Sequence, residues 1–186
     1  MDAGIAAVLG AVVGALGTGG AGVTAALLAK SQVRMQIQAE HARMIREPRK
    51  QAYASYAEEA KKDYERLTEA QLALEIAARH ELRREESLTK VGALIDESFE
   101  HTNTVLETWE AQVYMEGPHA VVQATVRLDT AFVELRSVLL ENHDKIEDGE
   151  DADLDAVREK HATAHKAYLR YLYEASAALN SDVHLV

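Results

Sequence analysis

Residues 3–29 carry no charge, and this run limits the possible folds more than any other feature of the chain. As an α-helix it would reach about 40 Å, longer than the roughly 30 Å hydrocarbon layer of a bilayer. The length therefore predicts a membrane span with room to tilt. Its strongly apolar residues are Ile5, Val8, Leu9, Val12, Val13, Leu16, Val23, Leu27 and Leu28. Each favours insertion by about 0.3 to 0.6 kcal/mol at the bilayer centre, so insertion is favourable by a small margin. A cleaved signal peptide would place cations ahead of a shorter apolar core, whereas here Asp2 precedes the run and the cations follow it. The other alternative is a buried Ala/Gly-rich helix of a soluble assembly or filament.

Behind the run lies a basic collar, with Lys30, Arg34, Arg43, Arg46, Arg49 and Lys50 against Glu40 and Glu47. The whole chain has a formal net charge of -11, so the body beyond the collar is strongly acidic. Lys and Arg are retained on the cytoplasmic side, which predicts a single-pass protein of the cell membrane with its N-terminus outside and its C-terminal domain cytoplasmic. Lys30, Arg34, Arg43, Arg46 and Lys50 are the residues placed to meet lipid headgroups, at about 1 kcal/mol per cation beside anionic lipid. The ordinary positive-inside signal explains the same residues without a specific lipid. The acidic body argues against nucleic acid as a partner.

Seven of the ten glycines lie between Gly4 and Gly22. Gly10, Gly14, Thr18, Gly22 and Ala26 recur every four residues, with Ala7, Ala11 and Ala15 on the adjoining ridge. Such a stripe lets two backbones approach closely in the membrane, so it predicts a homo-oligomer or a subunit of a membrane complex. The cluster Gly17, Gly19, Gly20 and Gly22 is the competing reading, because glycine weakens a helix by about 1 kcal/mol relative to alanine and a kink would fall there.

The rest of the chain reads as helix throughout. Val33, Ile37, Met44 and Ile45 make an amphipathic stalk, and Pro48 marks a junction, either a kink or the first turn of the next helix. Four faces follow at spacings of three and four. The first is Tyr53, Tyr56, Ala60, Tyr64, Leu67, Gln71, Leu74 and Ala78. The second, with Ser87 as N-cap, is Leu88, Val91, Ile95, Phe99, Thr102, Leu106, Trp109 and Val113. Glu116-Gly117-Pro118 stops it. The third is Val121, Thr125, Leu128, Phe132, Leu135, Leu139 and Ile146. The fourth is Leu154, Val157, His161, Ala164, Tyr168, Leu172, Ala175 and Leu179, capped by Asp151 or Asp153. The predicted fold is all-α: a transmembrane helix over 1–29, a basic juxtamembrane stalk over 30–50, and an acidic antiparallel four-helix bundle over 51–186.

Few residues point to chemistry. With no cysteine, thiolate metal sites, disulfides and cysteine nucleophiles are excluded. His161 and His165 share a helix face at a metal-gripping spacing, but no glutamate follows His161 as a catalytic zinc helix would need. A histidine beside the core is the commoner reason for such a residue. Asp144, Asp148, Gly149 and Asp155 fit four positions of a calcium loop, but Ile146 stands where a ligand belongs, and solvated turns are often equally acidic. Tyr53, Tyr56, Tyr64, Tyr168 and Tyr171 suit the rim of a core or a docking surface. Neither a phosphate loop nor a nucleophile elbow occurs. The expectation is a non-enzyme with no cofactor and no small-molecule substrate.

The stretch Arg46-Glu47-Pro48-Arg49-Lys50-Gln51-Ala52-Tyr53-Ala54 after a Gly/Ala-rich span, together with Glu116-Gly117-Pro118, resembles small, largely uncharacterised single-span membrane proteins of actinomycetes such as streptomycetes. The resemblance implies the topology and brings no assigned activity. The sequence thus predicts a membrane-anchored scaffold or accessory subunit. Its rivals are a membrane-disrupting effector with glycine-zipper helices and a cation-responsive sensor.

Overall fold

The structure, a computed structural model, describes the backbone of residues 3–181 and the side chains at positions 30, 32–37, 40, 43, 44 and 46–181. The expected span over 3–29, with Gly10, Gly14, Thr18, Gly22 and Ala26, lies outside the described side chains. Among the described residues no helix is long and apolar enough to cross a membrane.

All regular structure among the described residues is helical. Helix α1 spans Ala3–Arg79 and contains Pro48. The junction expected at Pro48 is therefore not a break in the helix. Pro48 forfeits its own bond to the Met44 carbonyl and its ring crowds that carbonyl, but the flanking Arg46, Glu47, Lys50, Gln51 and Ala52 are good helix formers. The chain divides into two compact units, one ending at Ile45 and the other beginning at Arg46.

The second unit is a helical bundle. After α1 a 3-10 turn, Glu81–Arg83, leads into α2, Arg84–His101. A π-helical segment, Thr102–Leu106, joins α2 to α3, Glu107–Glu116. Then come α4, His119–Glu147, and α5, Leu154–Ser181. Neighbouring helices run in opposite directions, as their cross-contacts show. Glu69 meets Lys90 at 2.7 Å and Glu59 meets His101 at 3.4 Å along α1 and α2. Arg136 of α4 reaches back to Ser98 of α2, and Glu134 of α4 meets Lys160 of α5 at 2.8 Å. Arg158 of α5 meets Glu75 of α1 at 3.0 Å, while Tyr171 donates to the Tyr53 carbonyl at 3.1 Å.

The periodic faces meet in one core. Tyr56, Leu67, Leu74, Val91, Ile95, Leu106, Val113, Phe132 and Leu139 are fully buried, together with Tyr171, expected only at the rim. Each such aliphatic side chain stabilises the fold by about 1.5 to 3 kcal/mol. Two expectations for the second helix are corrected. Ser87 does not cap α2, because the helix begins three residues earlier and Ser87 is buried inside it. Glu85 and Glu86 occupy the first turn instead, where carboxylates complement the helix dipole. Phe99, expected inward, is 47 % exposed, and Ser98 takes the buried position.

The turns follow from local chemistry. Gly117 adopts an extended conformation and donates to the Val113 carbonyl at 2.8 Å. A Cβ there would stand 2.6 Å from that carbonyl oxygen, so only glycine fits. Gly149 has φ of 79°, a left-handed conformation favourable to glycine, and closes the α4–α5 turn. The Asp153 carboxylate accepts from the Ala156 N–H at 3.0 Å, capping α5 as the sequence suggested. Asn142 fastens this turn to α4 by accepting from the Asp153 N–H at 2.6 Å.

Candidate functional site

The unusual chemistry of the bundle is a polar layer within the core. Asp63 on α1 and Arg136 on α4 are 0 % and 3 % exposed. Asp63 sits between Ala60 and Leu67 at the inward spacing, and Arg136 sits likewise between Phe132 and Leu139. Arg136 Nη1 donates to Thr102 Oγ1 at 2.6 Å and to both Ser98 Oγ and the Ser98 carbonyl at 3.3 Å. Thr102 in turn donates to Asp63 Oδ2 at 3.4 Å, and that oxygen lies 3.7 Å from Arg136 Nη1. The guanidinium stacks over the Phe99 ring, 5.0 Å from its centroid. Burial pushes the Asp63 carboxyl up, against the pull of a hydrogen bond from Ser98 and the charge of Arg136. Burial pushes Arg136 down, against the charges of Asp63 and Asp129.

These contacts explain the correction at Phe99. Turning Ser98 and Thr102 inward gives Arg136 Nη1 its acceptors, and the π segment that begins at Thr102 adds the width needed to bring Leu106 and Val113 back to the core. Thr102-Asn103-Thr104-Val105 are all weak helix formers, so the α-helix yields there at little expense. Thr104 donates to the Glu100 carbonyl at 2.7 Å, a local bond that competes with regular helix geometry.

Beside this layer lies a second cluster. Tyr56 donates to Asp129 Oδ1 at 2.5 Å, and Tyr114 donates to Glu110 Oε1. Burial, with the charge of nearby Glu110, raises Asp129 to about 8 against the pull of the Tyr56 hydrogen bond and the Arg136 charge. The Tyr56 hydroxyl is pushed well up by burial and by Asp129. Asp129 Oδ2, Asp63 Oδ1 and Arg136 Nε are buried with no hydrogen-bond partner among the described residues. Each such group costs about 1 to 3 kcal/mol, so the layer is a site of stored cost within a well-packed core.

The histidines and acids singled out from sequence sit elsewhere. His161 stacks on Tyr64 with ring centroids 5.1 Å apart, and His165 lies tilted against the same ring at 5.6 Å. His161 Nε2 is hydrogen-bonded to Thr68 Oγ1 at 2.9 Å, and burial, then His165, lowers its pKa. The structure groups Asp144 with His143 and Glu147, their ligand atoms all within 4.8 Å of one another, beside an open cleft of about 600 Å³. Asp155 is instead paired with Arg158 at 2.9 Å, and Asp148 is exposed at the end of α4. In the collar Lys30, Arg34, Arg43 and Lys50 are exposed and Arg46 is half-buried.

Sequence reasoning passed over Asp63, Asp129, Arg136 and Glu110. The first three were available to it, since all fall on the inward period of their helices. No family model, curated protein or solved structure matches this chain.

Proposed function

We propose that the chain is a non-enzymatic, membrane-anchored scaffold or accessory subunit, which oligomerises through its glycine-rich helix and presents a helical bundle to a cytoplasmic partner. The observation that carries this reading is where the buried polar chemistry lies. Asp63, Arg136, Ser98 and Thr102 bond to one another across three stretches of helix, an arrangement suited to fixing helix register. The membrane assignment draws on the uncharged run over 3–29, the collar behind it and the resemblance to actinomycete single-span proteins. Homo-oligomerisation draws on Gly10, Gly14, Thr18, Gly22 and Ala26 at four-residue spacing.

A membrane two-hybrid reporter carrying the full chain tests the reading. Gly14→Leu with Gly22→Leu is expected to reduce self-association about ten-fold, the loss of roughly 1.4 kcal/mol of close packing. An unchanged signal would remove the glycine stripe from the proposal. Depolarisation and growth arrest on overexpression would favour the membrane-disrupting rival.

A further inference from the structure

The helices α2 and α4 pack along a seam with an exposed, partly apolar edge. Gly92 of α2 faces His143 of α4, since a Cβ built on the glycine would stand 4.0 Å from His143 Nε2. Further along, the Phe99 ring of α2 covers the Arg136 guanidinium of α4. Glu85, Thr89, Gly92, Asp96 and Phe99 follow one another at spacings of four and three, so they share this edge of α2. On α4 the matching line is Val126, Val133, Leu140 and Glu147, at seven-residue spacing, with Val133 and Leu140 one turn before Arg136 and His143. Phe99, Val126, Val133 and Leu140 are 47, 47, 56 and 43 % exposed. Single exposed apolar residues are ordinary, whereas a line of them rimmed by polar groups along about 30 Å of helix marks an interaction site.

The same edge is acidic. The open cleft of about 600 Å³ between the start of α2 and the end of α4 is lined by Glu81, Glu85 and Glu147, with Arg84 as its one cation. Glu81, Glu85, Asp96 and Glu147 form no ion pair among the described residues, because the pairs of these helices turn elsewhere. Glu97 meets Arg66 and Lys90 meets Glu69, both on α1, and Glu134 meets Lys160 of α5. Gly92 adds a notch to the edge. A Cβ there would make only ordinary van der Waals contact, so the fold does not demand a residue that weakens a helix interior, and what the glycine provides is room for close approach from outside. Charge then chooses among occupants. A second copy related by a two-fold axis would bring the same acids face to face, and anionic lipid or nucleic acid would be repelled. A partner carrying cations would neutralise carboxylates that the bundle leaves unpaired.

We propose that the α2–α4 seam is the docking site for a basic amphipathic helix of another protein, whose apolar face lies on Phe99, Val133 and Leu140 and whose Lys or Arg residues enter the cleft beside Glu85 and Glu147. The apolar line supplies affinity, and the acids supply orientation and speed of encounter. The inference rests on the scaffold reading for the existence of a protein partner and names that partner's chemistry. It does not rest on the glycine stripe.

The experiment titrates the full-length protein, held in phosphatidylcholine nanodiscs, against two labelled peptides of three heptads with Ile at a and Leu at d. One peptide carries Lys at e and g and its twin carries Glu, and empty nanodiscs set the baseline. Fluorescence anisotropy should show the Lys peptide binding at least about ten-fold more tightly than the Glu peptide. Its affinity should fall about ten-fold between roughly 0.05 and 0.3 M salt. Val133→Ser with Leu140→Ser, and separately Glu85→Lys with Asp96→Lys, should each weaken the Lys peptide about ten-fold, and Gly92→Gln, which fills the notch, about five-fold. Thermal melting identifies the variants that fold, and any one of them decides the matter. Leu169→Ser, on the exposed face of α5, is the control and should leave binding unchanged. No binding of the Lys peptide above baseline, equal binding of the twins, or full affinity in a folded seam variant would overturn the proposal. Self-association of the full chain that disappears in Val133→Ser with Leu140→Ser would assign the seam to a second copy and overturn it as well. The scaffold reading is judged separately by the two-hybrid reporter, so absent peptide binding with the glycine effect intact sinks this inference alone.

Discussion

Replacing Arg136 tests whether the polar layer is held together as a unit. Arg136→Met keeps most of the side-chain length and removes the charge. Three hydrogen bonds to Ser98 and Thr102 go with it, and Asp63 is left fully buried without its cation. Breaking a buried pair from one side costs about 3 to 5 kcal/mol. Asp63→Asn should cost less, about 1 to 3 kcal/mol, because the amide oxygen still accepts from Thr102 and Arg136 keeps Ser98 and the Phe99 ring. Asp63→Leu combined with Arg136→Met removes both charges and should fall within about 2 kcal/mol of the wild type. Urea denaturation of the full chain in one fixed detergent, followed by circular dichroism, gives the three values. A loss below about 1 kcal/mol for Arg136→Met, or a double variant no better than that single, would refute the reasoning. A pH dependence accompanies the cycle. Asp63 is raised in the folded state, so above its unfolded value near 3.9 the folded protein holds a proton that the unfolded chain has lost, and stability falls as pH rises. Without the Arg136 charge the Asp63 carboxyl goes higher still, which extends this loss to higher pH.

Two further outcomes follow from the local geometry. Gly117→Ala places a Cβ against the Val113 carbonyl oxygen at 2.6 Å, and the forced shift at the end of α3 should destabilise the bundle by about 1 to 3 kcal/mol, read as a lower melting temperature; an unchanged melt would show that the turn yields freely. His161 has its pKa lowered by burial, so as pH falls through the ordinary histidine value the unfolded chain gains a proton that the folded protein resists, and stability drops. His161→Gln should flatten this acid-side loss in denaturation at about pH 5 to 7, and an unaltered slope would assign the loss to other groups.

The helical class, most of the inward positions, the stop at Gly117 and the Asp153 cap were legible in the sequence, because apolar spacing, glycine, proline and aspartate act over a few residues, whereas the Ser87 cap and the Pro48 junction were not. The sequence held Asp63, Asp129 and Arg136 in inward register as well, but burial of a charge is favourable only beside a suitable partner. Those partners lie on other helices, Asp63 with Arg136 and Asp129 with Tyr56, so tertiary packing alone reveals that Asp63 and Arg136 are core and Asp129 half-buried. The displacement of Phe99 by Ser98 has the same origin. Local hydrophobicity puts Phe99 inside, whereas the bundle turns Ser98 inward to meet a guanidinium delivered by α4. Asp144 groups with His143 and Glu147 by helical spacing within α4 alone, whereas Asp155 lies beyond the α4–α5 turn and pairs with Arg158. The uncharged run at the start of the chain is the opposite case, since its length, want of charge and basic collar are properties of sequence that no packing within the bundle defines.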